Sequence, residues 1–173
     1  RDIGFWTKDA IFSYPYALIN AYHHKNDMRN NTPERLLPNS VIFADSGGLQ
    51  SVILGDKKQT DIVELTKWQE KHSNIGFCFD VIPFKTDTRK LTGWEFDAEN
   101  FGSCARKTLE NINIALSVRS NDNFKLYGII QGRNYKEYED WYNIISSSNV
   151  DGFCMKSPTN NPLNVAESLL FDF

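Results

Sequence analysis

Five short apolar runs, each followed by a polar residue, constrain this chain more than any other feature. Ala17-Leu18-Ile19, Val41-Ile42-Phe43-Ala44, Ile75-Gly76-Phe77-Cys78-Phe79, Lys125-Leu126-Tyr127-Gly128-Ile129-Ile130 and Gly152-Phe153-Cys154-Met155 read as short buried strands. The residues that close them are Asn20, Asp45, Asp80, Gln131 and Lys156. Between the runs the apolar spacing changes to that of a helix. Thr60 is placed to cap a helix on which Ile62, Leu65 and Trp68 or Gln69 share a face. Ala105, Leu109, Ile112 and Leu116 make a second stripe, and Tyr135, Tyr138, Tyr142 and Ile145 a third. Polar segments around Pro33, Pro38 and Asn39 and over 83–100 read as loops, the second long enough to carry function.

Strand and helix in alternation mean a parallel α/β architecture. An open doubly wound sheet and a (β/α)8 TIM-like barrel both satisfy that pattern. Polar residues at the ends of at least four strands favour the barrel, in which catalytic groups come from several strand ends. A complete barrel takes about 250 residues. The 173 residues here are therefore expected to form one partial barrel domain over 1–173, covering about strands 2–6.

Composition narrows the class further. With 40% hydrophobic and 24% charged residues the chain reads as one globular domain. About two-thirds of its unfolded surface can be buried, enough for a core without disulfides. The net charge of -3 argues against a general clamp on polyanions. No stretch reaches the roughly 20 apolar residues of a membrane span. Cys78, Cys104 and Cys154 are far apart and form no CxxC pair, which argues against a disulfide framework or closed zinc site and points to the reducing cytoplasm. The chain opens Arg1-Asp2-Ile3-Gly4 without methionine or a signal-type leader and reads as a processed or partial product.

The sharpest local signal is Asp45-Ser46-Gly47-Gly48-Leu49-Gln50 directly after a strand. Two glycines let backbone approach a ligand closely, and Asp45 is presented as an acceptor or base. A plain Asx-type turn fits the same six residues. Phe79-Asp80-Val81-Ile82-Pro83 closes the next strand with a second carboxylate, and Gly128-Ile129-Ile130-Gln131-Gly132 closes a later one with a carboxamide. Together these suit the edge of a purine: a carboxylate accepts from N1–H and the exocyclic amine of guanine, while Gln donates to O6 or N7.

Leu18-Ile19-Asn20-Ala21-Tyr22-His23, the DSGG-L-Q run at 45–50, FD-x-x-P at 79–83, GIIQG at 128–132 and DGF at 151–153 stand in the order found in tRNA-guanine transglycosylases, and the resemblance covers about residues 17–157. That family exchanges guanine in a polynucleotide for a 7-deazaguanine base on a (β/α)8 barrel, through a covalent enzyme–nucleic-acid intermediate. By motif, Asp45 resembles its general acid/base, and Ser46, Gly47, Gly48 and Gln50 its base-pocket turn. Asp80 resembles the carboxylate that reads the guanine edge, Gln131 with Gly132 the pair on the carbonyl side, and Asn20 a residue near the ribose. The resemblance implies DNA or tRNA as partner, a base of the preQ0, preQ1 or queuine type, and a homo- or heterodimer.

Several positions depart from the family pattern. Leu49 stands where an aromatic residue usually stacks on the base, Val81 replaces the second acid of the family's FDE-type turn, and Lys156-Ser157-Pro158 replaces a Gly-Gly-Leu backbone site, so that Lys156 is placed to contact a phosphate or an exocyclic group. A motif skeleton with an altered pocket resembles the divergent branch that modifies DNA, which ranks DNA ahead of tRNA. No cofactor is implied within the chain. The family's nucleophilic aspartate and its structural zinc site belong to later segments, and Asp172 is in the wrong place to be that nucleophile.

Two other classes compete: a non-catalytic partner subunit that holds nucleic acid, and a glycoside-processing barrel using Asp45 and Asp80 as paired carboxylates. His23 and His24 lack clustered ligand partners and read as surface residues. Arg106 and Lys107 read as solvated. Arg89, Lys90, Arg133 and Lys136 follow strand ends on the presumed active face, where they could position a phosphate backbone. Trp68 and Trp141 read as core or loop anchors, and Trp94 could stack on a base.

Overall fold

The computed structural model describes residues 14–21, 39–48, 60–85 and 95–155. Its elements in chain order are β1 (Tyr16–Asn20), β2 (Val41–Asp45), α1 (Ile62–His72), β3 (Ile75–Phe77), β4 (Phe84–Lys85), β5 (Glu95–Phe96), α2 (Phe101–Val118), β6 (Lys125–Ile130), α3 (Tyr135–Ile145) and β7 (Gly152–Met155). Five strands form one parallel sheet in the order β1-β2-β3-β6-β7, and β4 pairs antiparallel with β5 as a separate ribbon. The sheet order repeats the chain order, with no reversal among the described strands. Helices α1, α2 and α3 pack side by side in the same succession, as crossovers of one hand require.

All five expected strands are present, with β3 shorter than expected. Its ladder with β6 ends at Phe77 opposite Tyr127, after which only the Cys78 N–H reaches back to the Tyr127 carbonyl, at 2.9 Å. The 83–100 segment contains the β4–β5 ribbon, whose Phe84 and Phe96 rings meet edge to face 5.6 Å apart. Thr60 does not cap α1. Asp61 does, its carboxylate accepting from the Glu64 N–H at 3.0 Å, because the helix opens at Ile62 and the cap is the residue immediately before the first helical one.

Alternation along the strands separates two faces. Ala17, Ile19, Ile42, Ala44, Leu126 and Ile130 are buried, and the main core sets Leu126 and Ile130 against Ala105, Ile112 and Ala115 of α2 and Tyr138, Trp141 and Ile145 of α3. The buried stripe of α2 is rotated from the expected one: Thr108 and Asn111 are buried, whereas Leu109 and Leu116 only flank the cluster. On α3, Trp141 rather than Tyr142 takes the central place, and its indole N–H donates to the Ile129 carbonyl at 2.9 Å. The opposite face carries an aromatic row, Phe43 to Phe77 at 6.1 Å and Phe77 to Tyr127 at 6.5 Å between centroids.

Carboxylates fasten the amino-terminal edge. Asp151 accepts from the Leu126 N–H at 3.0 Å, from Arg119, and from Lys125 at 3.3 Å. Desolvation opposes its ionisation, but these donors hold its carboxyl below the usual aspartate range. Glu70 at the end of α1 likewise accepts from the Ser120 and Asn121 N–H groups at 2.7 and 2.6 Å, and these contacts outweigh desolvation to lower its pKa. The Asp151 of the DGF motif therefore anchors the edge opposite the strand ends that carry the other motifs.

Candidate functional site

In a parallel sheet every strand ends on the same edge, so polar residues that close different strands gather there. Asn20 and Asp45 are register partners at the ends of β1 and β2. The Asn20 amide donates to Asp45 Oδ2 at 2.6 Å, and the Gly47 N–H reaches Asp45 Oδ1 at 3.4 Å. The second contact gives the Asx-type turn, with Ser46 buried and Gly47 at φ 76°, a left-handed conformation in which glycine carries no Cβ penalty.

The other two motifs meet beside this turn. Asp80 follows β3 and Gln131 follows β6, and the Gln131 amide donates to Asp80 Oδ2 at 2.5 Å across 51 positions of sequence. Gln131 is 2% exposed, and its Oε1 is buried without a hydrogen-bond partner. Such an acceptor costs about 1–3 kcal/mol when left dry. Gly48 lies against the same carboxylate: a Cβ there would stand 3.1 Å from the Asp80 carbonyl and 3.3 Å from its Oδ1. Gly132 is backed as closely by α3, with 2.9 Å from a Cβ to the Tyr138 nitrogen.

Asn20, Asp45, Ser46, Gly47, Gly48, Asp80, Gln131 and Gly132 thus share one edge. Gln50 and Lys156 lie outside the described residues, as do His23, His24, Leu49, Arg89, Lys90, Trp94, Ser157, Pro158 and Asp172. Two basic side chains near the edge are engaged with acids. Arg133 is bound by Glu137 with its guanidinium 3.5 Å from the centre of the Phe96 ring, and Lys136 pairs with Asp140 at 3.2 Å. They sit one helical turn before an acid on α3, a local pairing in which both basic side chains stay exposed.

Buried polar side chains of the helices support this edge, a role that hydrophobic periodicity did not reveal. The Gln69 amide of α1 donates to the Ala44 and Phe77 carbonyls, both at 2.9 Å, and so bridges β2 to β3. On α2, Thr108 accepts from the Val81 N–H at 2.9 Å and Asn111 donates to the Phe79 carbonyl at 3.1 Å. Helical spacing already puts Gln69, as the alternative to Trp68, on the shared face of α1, but it leaves Thr108 and Asn111 off the apolar stripe of α2.

The described cysteines do not form a zinc site. Cys78, Cys104 and Cys154 are separate free thiols, and burial, aided by the Asp80 charge, pushes the Cys78 thiol up to about 12. No three His, Cys, Asp or Glu side chains gather as metal ligands among the described residues, and no helix among them is long and apolar enough to cross a membrane. The edge instead offers two carboxylates, two carboxamides and close-set glycine backbone, a donor and acceptor set suited to a flat, nitrogen-rich heterocycle. Comparison of the chain with protein-family models and with curated protein sequences gives no match.

Proposed function

We propose that the chain is the pocket-bearing part of a transglycosylase that exchanges guanine in a nucleic acid, DNA ahead of tRNA, for a 7-deazaguanine base such as preQ0. The observation that carries the reading is the Asp80–Gln131 pair with Gly48 against it. A carboxylate beside a carboxamide matches the donors and acceptors along the guanine edge, and the second N–H of Gln131 is chemically suited to the guanine carbonyl oxygen. Asp45 adds the acid–base group that base exchange needs.

In this reaction the bond between guanine N9 and the sugar C1′ breaks while a nucleophile takes C1′. Asp45 gives a proton to the departing purine and receives one from the incoming base, whose N9 then displaces the nucleophile. The motif match assigns the nucleophile to no residue of this chain. A (β/α)8 closure belongs to the same reading. Its support is a sheet order that follows the chain order and an aromatic row on the face away from the helices, because a closed barrel fills that face with side chains.

The test is incorporation of labelled preQ0 into duplex DNA and into tRNA by the natural protein. Asp45→Ala and Asp80→Ala are each expected to abolish labelling while thermal unfolding stays cooperative. Full activity in both variants would overturn the pocket assignment. Binding of nucleic acid without labelling of either polymer would instead identify a non-catalytic partner subunit.

A further inference from the structure

We propose that Thr108 and Asn111 of α2 are positioning residues that turn Asp80 out of the core and into the base pocket, and that they thereby set the preference for a base carrying a 2-amino group. This inference rests on the base-pocket reading above. The β3–β6 register pairs Phe77 with Tyr127, so an uninterrupted strand would bring Asp80 opposite Ile130. Ile130 and Cys78 both belong to the main core. Alternation along such a strand would send the Asp80 carboxylate to the same side as Cys78, under the helices.

The chain instead leaves the ladder after Cys78, and α2 takes over its backbone. Cys104, Thr108 and Asn111 stand at i, i+4 and i+7, on one stripe of the helix. Cys104 Sγ lies 3.9 Å from the Ile82 carbonyl, Thr108 accepts from the Val81 N–H, and Asn111 donates to the Phe79 carbonyl. Two of these bonds hold the residues on either side of Asp80. Thr108 is fully buried and Asn111 is 6% exposed, so water does not readily replace either. Asp80 so held meets the Gln131 amide. A carboxylate fixed at that place can read two adjacent N–H groups of guanine; released toward the core, it reads neither.

The experiment measures equilibrium affinities of the full chain for guanine and for hypoxanthine, which lacks the 2-amine, by titration calorimetry. Their ratio is insensitive to the fraction of protein folded. The wild type is expected to prefer guanine by about tenfold or more, as a charge-assisted hydrogen bond allows. Asp80→Asn is expected to lose that preference. Thr108→Val keeps the shape, removes the acceptor and should cut the preference by about fivefold or more, whereas Thr108→Ser restores it. Should Thr108→Val not fold, Asn111→Ser carries the same expectation. If Thr108→Val and Asn111→Ser keep the wild-type ratio while Asp80→Asn loses it, the positioning role is overturned and the pocket stands. If Asp80→Asn keeps the ratio, or the wild type binds neither base, the pocket reading fails and this inference with it.

Discussion

Replacing Gln69 with glutamate would convert the bridge between β2 and β3 into a pH-dependent one. Gln69 is 1% exposed, and its amide nitrogen faces two carbonyl oxygens at 2.9 Å. A carboxylate has no donor to offer them, and an ionised one is poorly tolerated in a dry site. The Gln69→Glu variant folds with the introduced carboxyl protonated, its hydroxyl serving one carbonyl. Protonating a glutamate of unfolded pKa about 4.3 costs about 3.7 kcal/mol at pH 7 and about 1 kcal/mol at pH 5. The lost second hydrogen bond adds about 1 kcal/mol at either pH. The loss of stability relative to wild type should therefore be about 5 kcal/mol at pH 7 and about 2 kcal/mol at pH 5. The folded pKa lies above the unfolded one, so the variant is most stable below the unfolded value and loses stability as pH rises toward the folded value. Urea unfolding of both proteins at pH 5, 6 and 7 measures the difference. An offset that stays the same across that range would refute the dry, donor-requiring bridge.

Other outcomes follow from particular contacts. Gly132→Ala sets a Cβ 2.9 Å from the Tyr138 nitrogen and 3.2 Å from the Glu137 carbonyl carbon; since both neighbours are helix backbone, a loss of about 1–3 kcal/mol is expected, read as a lower melting temperature. Asp151→Asn should destabilise at pH 6, because the lowered carboxyl pKa contributes stability above the unfolded value of about 3.9 that is lost as pH falls through the folded one. The gap between wild type and variant should narrow toward pH 2 in denaturant melts. Cys78, buried and with its thiol pushed up to about 12, should resist iodoacetamide at pH 8 in the native protein and react once urea is added, as peptide mass mapping would read.

Strands were legible because each is a short apolar run bounded by polar residues, and the candidate pocket because Asn20, Asp45, Asp80 and Gln131, which close four of those runs, are themselves its side chains. Asn20, Asp45 and Gln131 needed only the parallel direction of the sheet to be placed on one edge, whereas Asp80, three residues past the end of β3, is flanked by bonds from α2. What periodicity missed has a physical source. Thr108 and Asn111 satisfy backbone that has left the ladder, and nothing in an apolar–polar pattern says where a ladder stops. The cap shifted from Thr60 to Asp61 because both residue types serve that role and apolar spacing does not fix which residue opens a helix. The β4–β5 ribbon escaped notice because Phe84-Lys85 and Glu95-Phe96 are too short to show alternation.

The agreement between sheet order and chain order has a consequence for synthesis. A chain emerging from the ribosome amino end first offers β2 a partner already made in β1, and β3 a partner in β2. The longest wait among the described strands separates β3 from β6, and in that interval α2 is made and can take hold of the segment around Asp80. A nascent chain can thus order half of the candidate pocket before Gln131 has emerged from the ribosome, leaving the last contact, from carboxamide to carboxylate, to close it.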